Sequence, residues 1–130
     1  MTEREGIMQR LMAVVEDRHV KPRVNSYTTE VMSSGVKGIG EKIMEEAAEL
    51  VEAAENAGPG GVPAARTHLT YEAADLIYHM LIMLAHCEVK LTDVETELAR
   101  RFGTSGLDEK AARAKDKSDG GTTREGARQA

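Results

Sequence analysis

Apolar residues recur along the chain with the three- and four-residue spacing of amphipathic helices. Residues at this spacing fall on one side of a helix, where they can pack against a core. The patterns predict helices over about 4–19, 38–56 and 66–88. The residues that form them are Ile7, Met8, Leu11, Met12, Val14 and Val15; then Ile43, Ala47, Leu50 and Ala54; then Leu69, Ala73, Leu76, Met80 and Leu84. Because no segment alternates with a period of two, we expect an all-α fold without a sheet.

Capping and helix-breaking residues divide the predicted helices. Pro22 disfavours helix in the residue before it and predicts a loop over 21–25. Ser26 can then cap a short helix that ends at Gly35. The Gly- and Pro-rich segment 58–63 predicts the turn between the two long helices.

The C-terminal part of the chain changes character. Thr92 and Glu95 match a capping box for a fifth helix, and a further short helix is expected over 107–114. The polar residues that follow lack any apolar pattern and predict disorder. The expected organisation is therefore one all-α domain, 1–115, with a disordered polar tail, 116–130.

The size and composition of the chain predict a small core and a partner subunit. The 130 residues fit one domain, and aromatic residues make up only 3% of them. A chain of this size buries about 65% of its unfolded surface. We therefore expect a helical bundle of about four to five helices that is completed by homodimerisation.

Charge and hydropathy argue against several classes of protein. Segment 110–130 carries six basic and three acidic residues, a balance of +3. Because the whole chain has a net charge of −5, the body before this segment has a net charge of −8. An acidic body argues against nucleic-acid binding. The longest apolar run, 80–85, is far shorter than the roughly 20 residues of a membrane span. The polar N terminus and the single Cys87 favour a cytoplasmic protein.

Two pairs of carboxylates lie on the two long predicted helices. Glu46 and Glu49 are three residues apart on the first helix, and Glu72 and Asp75 have the same spacing on the second. Each pair falls on one helix face, and a short connection makes the helices antiparallel neighbours. Four acids in one cleft repel each other unless cations lie between them. Mg²⁺ prefers carboxylate, phosphate and water oxygens, whereas the alternative is an ordinary solvated helix face.

The residues around these acids resemble the all-α nucleotide pyrophosphohydrolases, whose signature is E-x-x-E followed by E-x-x-D. Further segments resemble the phosphoribosyl-ATP pyrophosphohydrolase family within that group, and the resemblance extends over about 7–115. The segments that carry it are E-E-A-A-E (45–49), E-A-A-D-L-I-Y-H (72–79), L-M-A-V-V-E-D-R (11–18), S-Y-T (26–28) and S-G-L-D-E-K-A (105–111).

The resemblance implies a magnesium-dependent hydrolase of histidine biosynthesis that acts on phosphoribosyl-ATP as a homodimer. It implies that the Mg²⁺ ligands are Glu46, Glu49, Glu72 and Asp75. Glu45 would be a further ligand, the base that orients the attacking water, or a solvated side chain. Together with Glu46 it forms the predicted catalytic pair.

Six residues outside the acidic pairs are candidate substrate contacts. Lys42 lies one turn before the acids and would hold phosphate or only offset their charge. Arg18 and Lys21 would attract the triphosphate or form part of a solvated loop. Tyr27 and Lys110 lie in the family-like segments.

His79, one turn after Asp75, is the remaining candidate for substrate binding, with a structural role as the alternative.

Two alternative functions stay open from the sequence. A house-cleaning nucleoside triphosphate pyrophosphohydrolase would share the acidic motif but not the terminal family-like segments. A non-catalytic helical interaction protein would carry the acids only as a solvated face, and would bind Mg²⁺ weakly.

Overall fold

The computed structural model describes residues 6–102 together with Lys110, Arg113 and Ala114. Its five helices confirm the predicted all-α class, and the described residues contain no strand. The helices are α1 (Ile7–Val20), α2 (Tyr27–Ser33), α3 (Gly35–Ala57), α4 (Pro63–His86) and α5 (Leu91–Arg101). None of these described helices combines the length and the apolar character that crossing a bilayer requires.

The predicted cap of α2 is confirmed. Ser26 has an extended backbone, and its hydroxyl oxygen accepts a hydrogen bond from the backbone N–H of Thr29 at 3.1 Å. This bond satisfies one of the amide groups that have no partner within the first turn of a helix. The cap therefore fixes where α2 begins, and it places Tyr27 at the first position of that helix.

Two of the predicted helix boundaries are wrong. α3 begins at Gly35, three residues before the prediction, because Gly35 adopts a φ of +71° and turns the chain directly from α2 into α3. α4 begins at Pro63 rather than at 66. The Gly- and Pro-rich pattern predicts Pro63 in the turn, but at the first helical position the missing N–H of proline has no partner to lose.

The C-terminal boundaries also differ from the sequence-based expectation. α5 begins at Leu91, so Thr92 lies inside its first turn rather than before it. The predicted domain boundary at 115, most of the expected helix 107–114 and the expected tail 116–130 lie outside the described residues.

A single apolar core forms within the first compact unit, 1–91. Ile39, Leu81, Ile82 and Val15 are its most deeply buried large side chains, drawn from α1, α3 and α4. The other buried members are Met12, Val31, Met32, Ala85 and Leu91. The fully buried members are all aliphatic or methionine side chains, and the partly buried Tyr78 packs against them.

The second compact unit, 92–130, contains most of α5. Glu97 accepts hydrogen bonds there from Arg100 Nη2 at 2.7 Å and from Arg101 Nε at 3.0 Å. These bonds from Arg100 and Arg101 lower the pKa of Glu97 to about 2. Both arginines lie in the last turn, where positive charge also complements the helix dipole.

Candidate active site

The long helices α3 and α4 are the most extensively packed pair in the first unit. Five residues, 58–62, connect them and return the chain along the side of α3. A connection this short makes consecutive helices antiparallel neighbours. The hairpin therefore brings the predicted acidic segment of α3 against that of α4.

Three of the four predicted metal ligands meet at this helix pair. Glu46 of α3 and Glu72 and Asp75 of α4 each place one carboxylate oxygen within 4.8 Å of the other two. We call these three residues the acid cluster. Glu46 and Glu72 are each only 6% exposed, so the cluster is not a solvated helix face.

Glu49 lies outside the acid cluster, although it is only one turn from Glu46. Its side chain is exposed. It is nevertheless close enough for its charge to raise the pKa of Glu46. Its role as a metal ligand stays a prediction.

The acid cluster is electrostatically costly without a cation. Burial raises the pKa of Glu46 to about 7, and the charges of Asp75, Glu49 and Glu72 and a hydrogen bond with Glu72 act in the same direction. Two carboxylate oxygens, Oε2 of Glu46 and Oε2 of Glu72, are buried with no hydrogen-bond partner. Such groups cost free energy unless a donor or a cation reaches them.

The donor set fits Mg²⁺. All three groups of the acid cluster offer carboxylate oxygens, which are the ligands that hard divalent cations take. Two of those oxygens are buried and without partners, so a cation would supply the missing interaction. His68, which the sequence analysis does not single out, adds a contact from the same helix.

His68 Nε2 donates to Glu72 Oε1 at 3.2 Å from one turn earlier on α4. The contact leaves Glu72 Oε2 as the oxygen without a partner. The signal was present as an i,i+4 spacing. An orienting neighbour of this kind is common around metal ligands.

Lys42 and Glu45 form an ion pair at the edge of the site. Lys42 Nζ lies 3.8 Å from Glu45 Oε1, and both side chains are at least partly exposed. The charge of Lys42 also lowers the pKa of Tyr27 against the stronger effect of burial, which raises it. The pair is therefore accessible to a phosphate, and the two alternative roles of each residue stay predictions.

Tyr27 and His79 are brought together across 52 positions of sequence. The Tyr27 hydroxyl lies 2.7 Å from His79 Nε2, and His79 Nδ1 lies 2.8 Å from the backbone carbonyl oxygen of Asp75. His79 is only 2% exposed. Both ring nitrogens are therefore engaged inside the protein, and a direct contact with substrate would have to displace one of these bonds.

The three remaining predicted substrate contacts, Arg18, Lys21 and Lys110, each have a different setting. Arg18 Nη1 is paired with Asp17 at 2.9 Å, and Lys21 is exposed in the loop after α1. Lys110 is exposed in the second unit. Their predicted contacts with phosphate stay predictions.

Comparisons with known proteins agree on one family. A family model described as phosphoribosyl-ATP pyrophosphohydrolase matches residues 8–102. A phosphoribosyl-ATP pyrophosphatase of Rhodopirellula baltica is 46% identical over 113 residues, which cover 87% of this chain and 91% of the relative. Its counterpart in Pelobacter propionicus is 42% identical over 113 residues, or 87% and 98% of the two chains. That of Geobacter metallireducens is 39% identical over 116 residues, or 89% and 100%.

Proposed function

This chain belongs to the phosphoribosyl-ATP pyrophosphohydrolase family, and we propose that it hydrolyses phosphoribosyl-ATP to phosphoribosyl-AMP and pyrophosphate. This is the second step of L-histidine biosynthesis. The structural observation that carries the proposal is the acid cluster, in which three carboxylates converge and two buried oxygens have no partner. A hydrolase that cleaves a phosphoanhydride needs such a place for divalent cations.

Glu46, Glu72 and Asp75 would hold Mg²⁺, with Glu49 as the exposed fourth ligand. When bound, Mg²⁺ supplies charge neutralisation for the phosphates and acidifies a water molecule. Holding the ion requires Glu46 to lose the proton that its raised pKa favours. Cation binding and deprotonation of Glu46 are therefore coupled.

Glu45 and Lys42 would act on the substrate at the exposed edge of the site. Lys42 can donate hydrogen bonds from Nζ to a phosphate oxygen, which would neutralise charge at the leaving pyrophosphate. That contact would compete with its present partner, the Glu45 carboxylate. Glu45 would then be free to accept a proton from the attacking water at the α–β phosphoanhydride.

A second copy of the chain would complete the bundle. Met44, Ala48 and Val51 follow one another at spacings of four and three on α3, and all three are exposed. This exposed apolar row lies on a different side of α3 from the buried Glu46, and a homodimer would remove it from water. The exposed thiol of Cys87 is free, which suits the cytoplasm, where we expect this reaction to take place.

The deciding experiment is a substrate panel with detection of pyrophosphate. The value of kcat/KM would be measured for phosphoribosyl-ATP, ATP, dCTP and dUTP in the presence of Mg²⁺. Two charge-assisted contacts to the extra ribose phosphate, each worth about 1.5–3 kcal/mol, would favour phosphoribosyl-ATP by roughly 10²–10⁴.

Comparable turnover of dCTP or dUTP would contradict the proposal in favour of a house-cleaning hydrolase. Failure to release pyrophosphate from any nucleotide, with weak Mg²⁺ binding, would favour a non-catalytic helical protein. Arg18→Gln and Lys21→Gln provide the matched variants for specificity. Both should narrow the preference for phosphoribosyl-ATP, whereas Glu46→Gln should lower every activity.

A further inference from the structure

The hydrogen bonds around His79 determine which way the Tyr27 hydroxyl points its proton. We infer that His79 is a positioning residue that accepts the hydrogen bond of the Tyr27 hydroxyl, so that the Tyr27 oxygen faces the acid cluster as an acceptor for metal-bound water. The inference rests on the proposed function, because it presumes that the acid cluster holds Mg²⁺.

The first step is the tautomer of His79. Its Nδ1 lies 2.8 Å from the backbone carbonyl oxygen of Asp75, and a carbonyl oxygen can only accept. Nδ1 therefore carries the proton. In the neutral ring Nε2 is then an acceptor, because an imidazole with one ring proton has its lone pair on the other nitrogen.

The second step is the polarity of Tyr27. Its hydroxyl lies 2.7 Å from His79 Nε2, so the hydroxyl must be the donor in that bond. A phenol has only one proton, and the remaining lone pairs of its oxygen can only accept. While the Tyr27 hydroxyl donates its hydrogen bond to His79, it cannot also donate one to a carboxylate of the acid cluster.

The third step is the place of Tyr27 beside the site. Tyr27 is bonded to His79, and the other ring nitrogen of His79 contacts the backbone of Asp75, a member of the acid cluster. Burial of the hydroxyl is the largest influence on the pKa of Tyr27 and raises it, although the residue as a whole is 47% exposed. The phenol is neutral near pH 7 in any case, because the ordinary pKa of tyrosine is about 10. A neutral phenol is a poor direct ligand for Mg²⁺, but its oxygen can accept a hydrogen bond from a coordinated water, and Mg²⁺ usually keeps several waters.

The result is a chain of contacts that joins α2 to a metal-binding helix. It runs from Tyr27 at the start of α2, through His79, to the backbone of Asp75 on α4. Groups in this outer position commonly change metal affinity by 10–100-fold when they are removed. The same contacts would orient water without touching the ion.

Tyr78 provides a matched control. Its hydroxyl forms a hydrogen bond with Thr28 Oγ1, and its ring stacks on Tyr27 with centroids 6.2 Å apart. Tyr78→Phe and Tyr27→Phe therefore each remove one hydroxyl bond between α2 and α4. Only Tyr27→Phe removes an oxygen that the inference assigns to the acid cluster.

The first test measures Mg²⁺ affinity by calorimetry on the full chain without nucleotide. We expect Tyr27→Phe to weaken Mg²⁺ binding by about 10-fold, and Tyr78→Phe to leave it within about twofold despite a similar loss of melting temperature. An equal loss of affinity in both variants would show that only the helix contact matters and would overturn the inference. Unchanged affinity in Tyr27→Phe would also overturn it.

Two isosteric replacements separate the ring nitrogens of His79. Asparagine can place its amide nitrogen near the position of Nδ1 and has nothing at Nε2, whereas glutamine can place its amide oxygen near Nε2. We expect His79→Asn to weaken Mg²⁺ binding as much as Tyr27→Phe does. The double variant should show no further loss, and His79→Gln should keep most of the wild-type Mg²⁺ affinity. Additive losses in the double variant would contradict an action through Tyr27.

A spectroscopic measurement on the wild type does not depend on how any variant folds. Nitrogen-15 chemical shifts of His79 should report a protonated Nδ1 and an unprotonated Nε2, with and without Mg²⁺. A proton on Nε2 would reverse the Tyr27 bond and overturn the inference. Turnover of phosphoribosyl-ATP is measured separately, so loss of the proposed function and loss of this inference would be told apart.

Discussion

The two halves of α4 are both buried on one side, but their buried groups differ in kind. The first half buries Glu72 and the second half buries Leu81, Ile82 and Ala85. The apolar half gains free energy by removing hydrocarbon from water. The acidic half gathers like charges and leaves a buried oxygen of Glu72 without a partner.

The apolar half of α4 therefore stabilises this small protein, whereas the buried acids of the other half lower its stability. Leu81 and Ile82 are fully buried and belong to the continuous core. Glu72 and Asp75 of the acid cluster lie on the same helix, about two turns earlier, so the core can hold these costly carboxylates in fixed positions. Functional sites commonly break the rules that the rest of a structure obeys.

The strongest test removes one charge from the acid cluster. Asp75→Asn should reduce phosphoribosyl-ATP turnover by at least about 10²-fold, because even outer groups of metal sites cost 10–100-fold. Without Mg²⁺ the variant should be at least as stable as the wild type, since one repulsion with Glu46 is gone. Glu49→Gln should behave in the same way if Glu49 is a ligand.

Steady-state kinetics and thermal unfolding with and without Mg²⁺ measure both effects. Near-normal turnover at saturating Mg²⁺ in either variant would refute the assignment of that residue as a ligand.

The corresponding change in the apolar half should have the opposite result. Leu81→Ala removes a fully buried side chain and should lower the free energy of unfolding by about 2–5 kcal/mol. Below its unfolding temperature the variant should keep its Mg²⁺ affinity. Denaturant titration measures the first quantity and calorimetry the second. Leu98→Ala, at a side chain that is 55% exposed on α5, is the matched control and should change stability little.

The acid cluster and the apolar core should also respond differently to pH. Folding raises the pKa of Glu46 from 4.5 to about 7, so between these values the folded chain binds more protons than the unfolded chain. Its contribution to stability is fully present below pH 4.5 and is lost as pH rises towards 7. When a chelator removes divalent cations, the contribution of Glu46 to the melting temperature should therefore decrease as the pH rises over this range.

Glu46→Gln provides the control for the pH experiment, because glutamine does not titrate. The difference in melting temperature between wild type and variant should change across pH 4.5–7 in chelator. Saturating Mg²⁺ should raise the wild-type melting temperature most at the upper end of that range, where Glu46 is ionised. A difference that is independent of pH would show that Glu46 titrates normally.

The smallest expected effect concerns α2, the helix that begins with Tyr27. Ser26→Ala removes the cap of α2 and should cost about 1 kcal/mol. Ser26→Asp should restore most of it, because aspartate also caps helices well. Chemical denaturation measures the change, and full stability of Ser26→Ala would show that α2 does not depend on this bond.

The sequence alone was sufficient for the all-α class, the approximate extent of the helices and the expectation that Glu46, Glu72 and Asp75 would lie close together. Helical periodicity is a local property, and the spacing of Glu72 and Asp75 already determines that they share a side of α4. The cap at Ser26 was equally predictable, because a capping bond joins residues only three positions apart.

Only the tertiary structure decided how these residues divide between the interior and the surface. Glu46 and Glu49 have the same spacing as Glu72 and Asp75, yet Glu46 is buried in the acid cluster and Glu49 is exposed. The bond between Tyr27 and His79 spans 52 positions, and no local pattern marks it. Burial and long-range hydrogen bonds depend on how α2 and α4 pack in three dimensions, which helical periodicity does not specify.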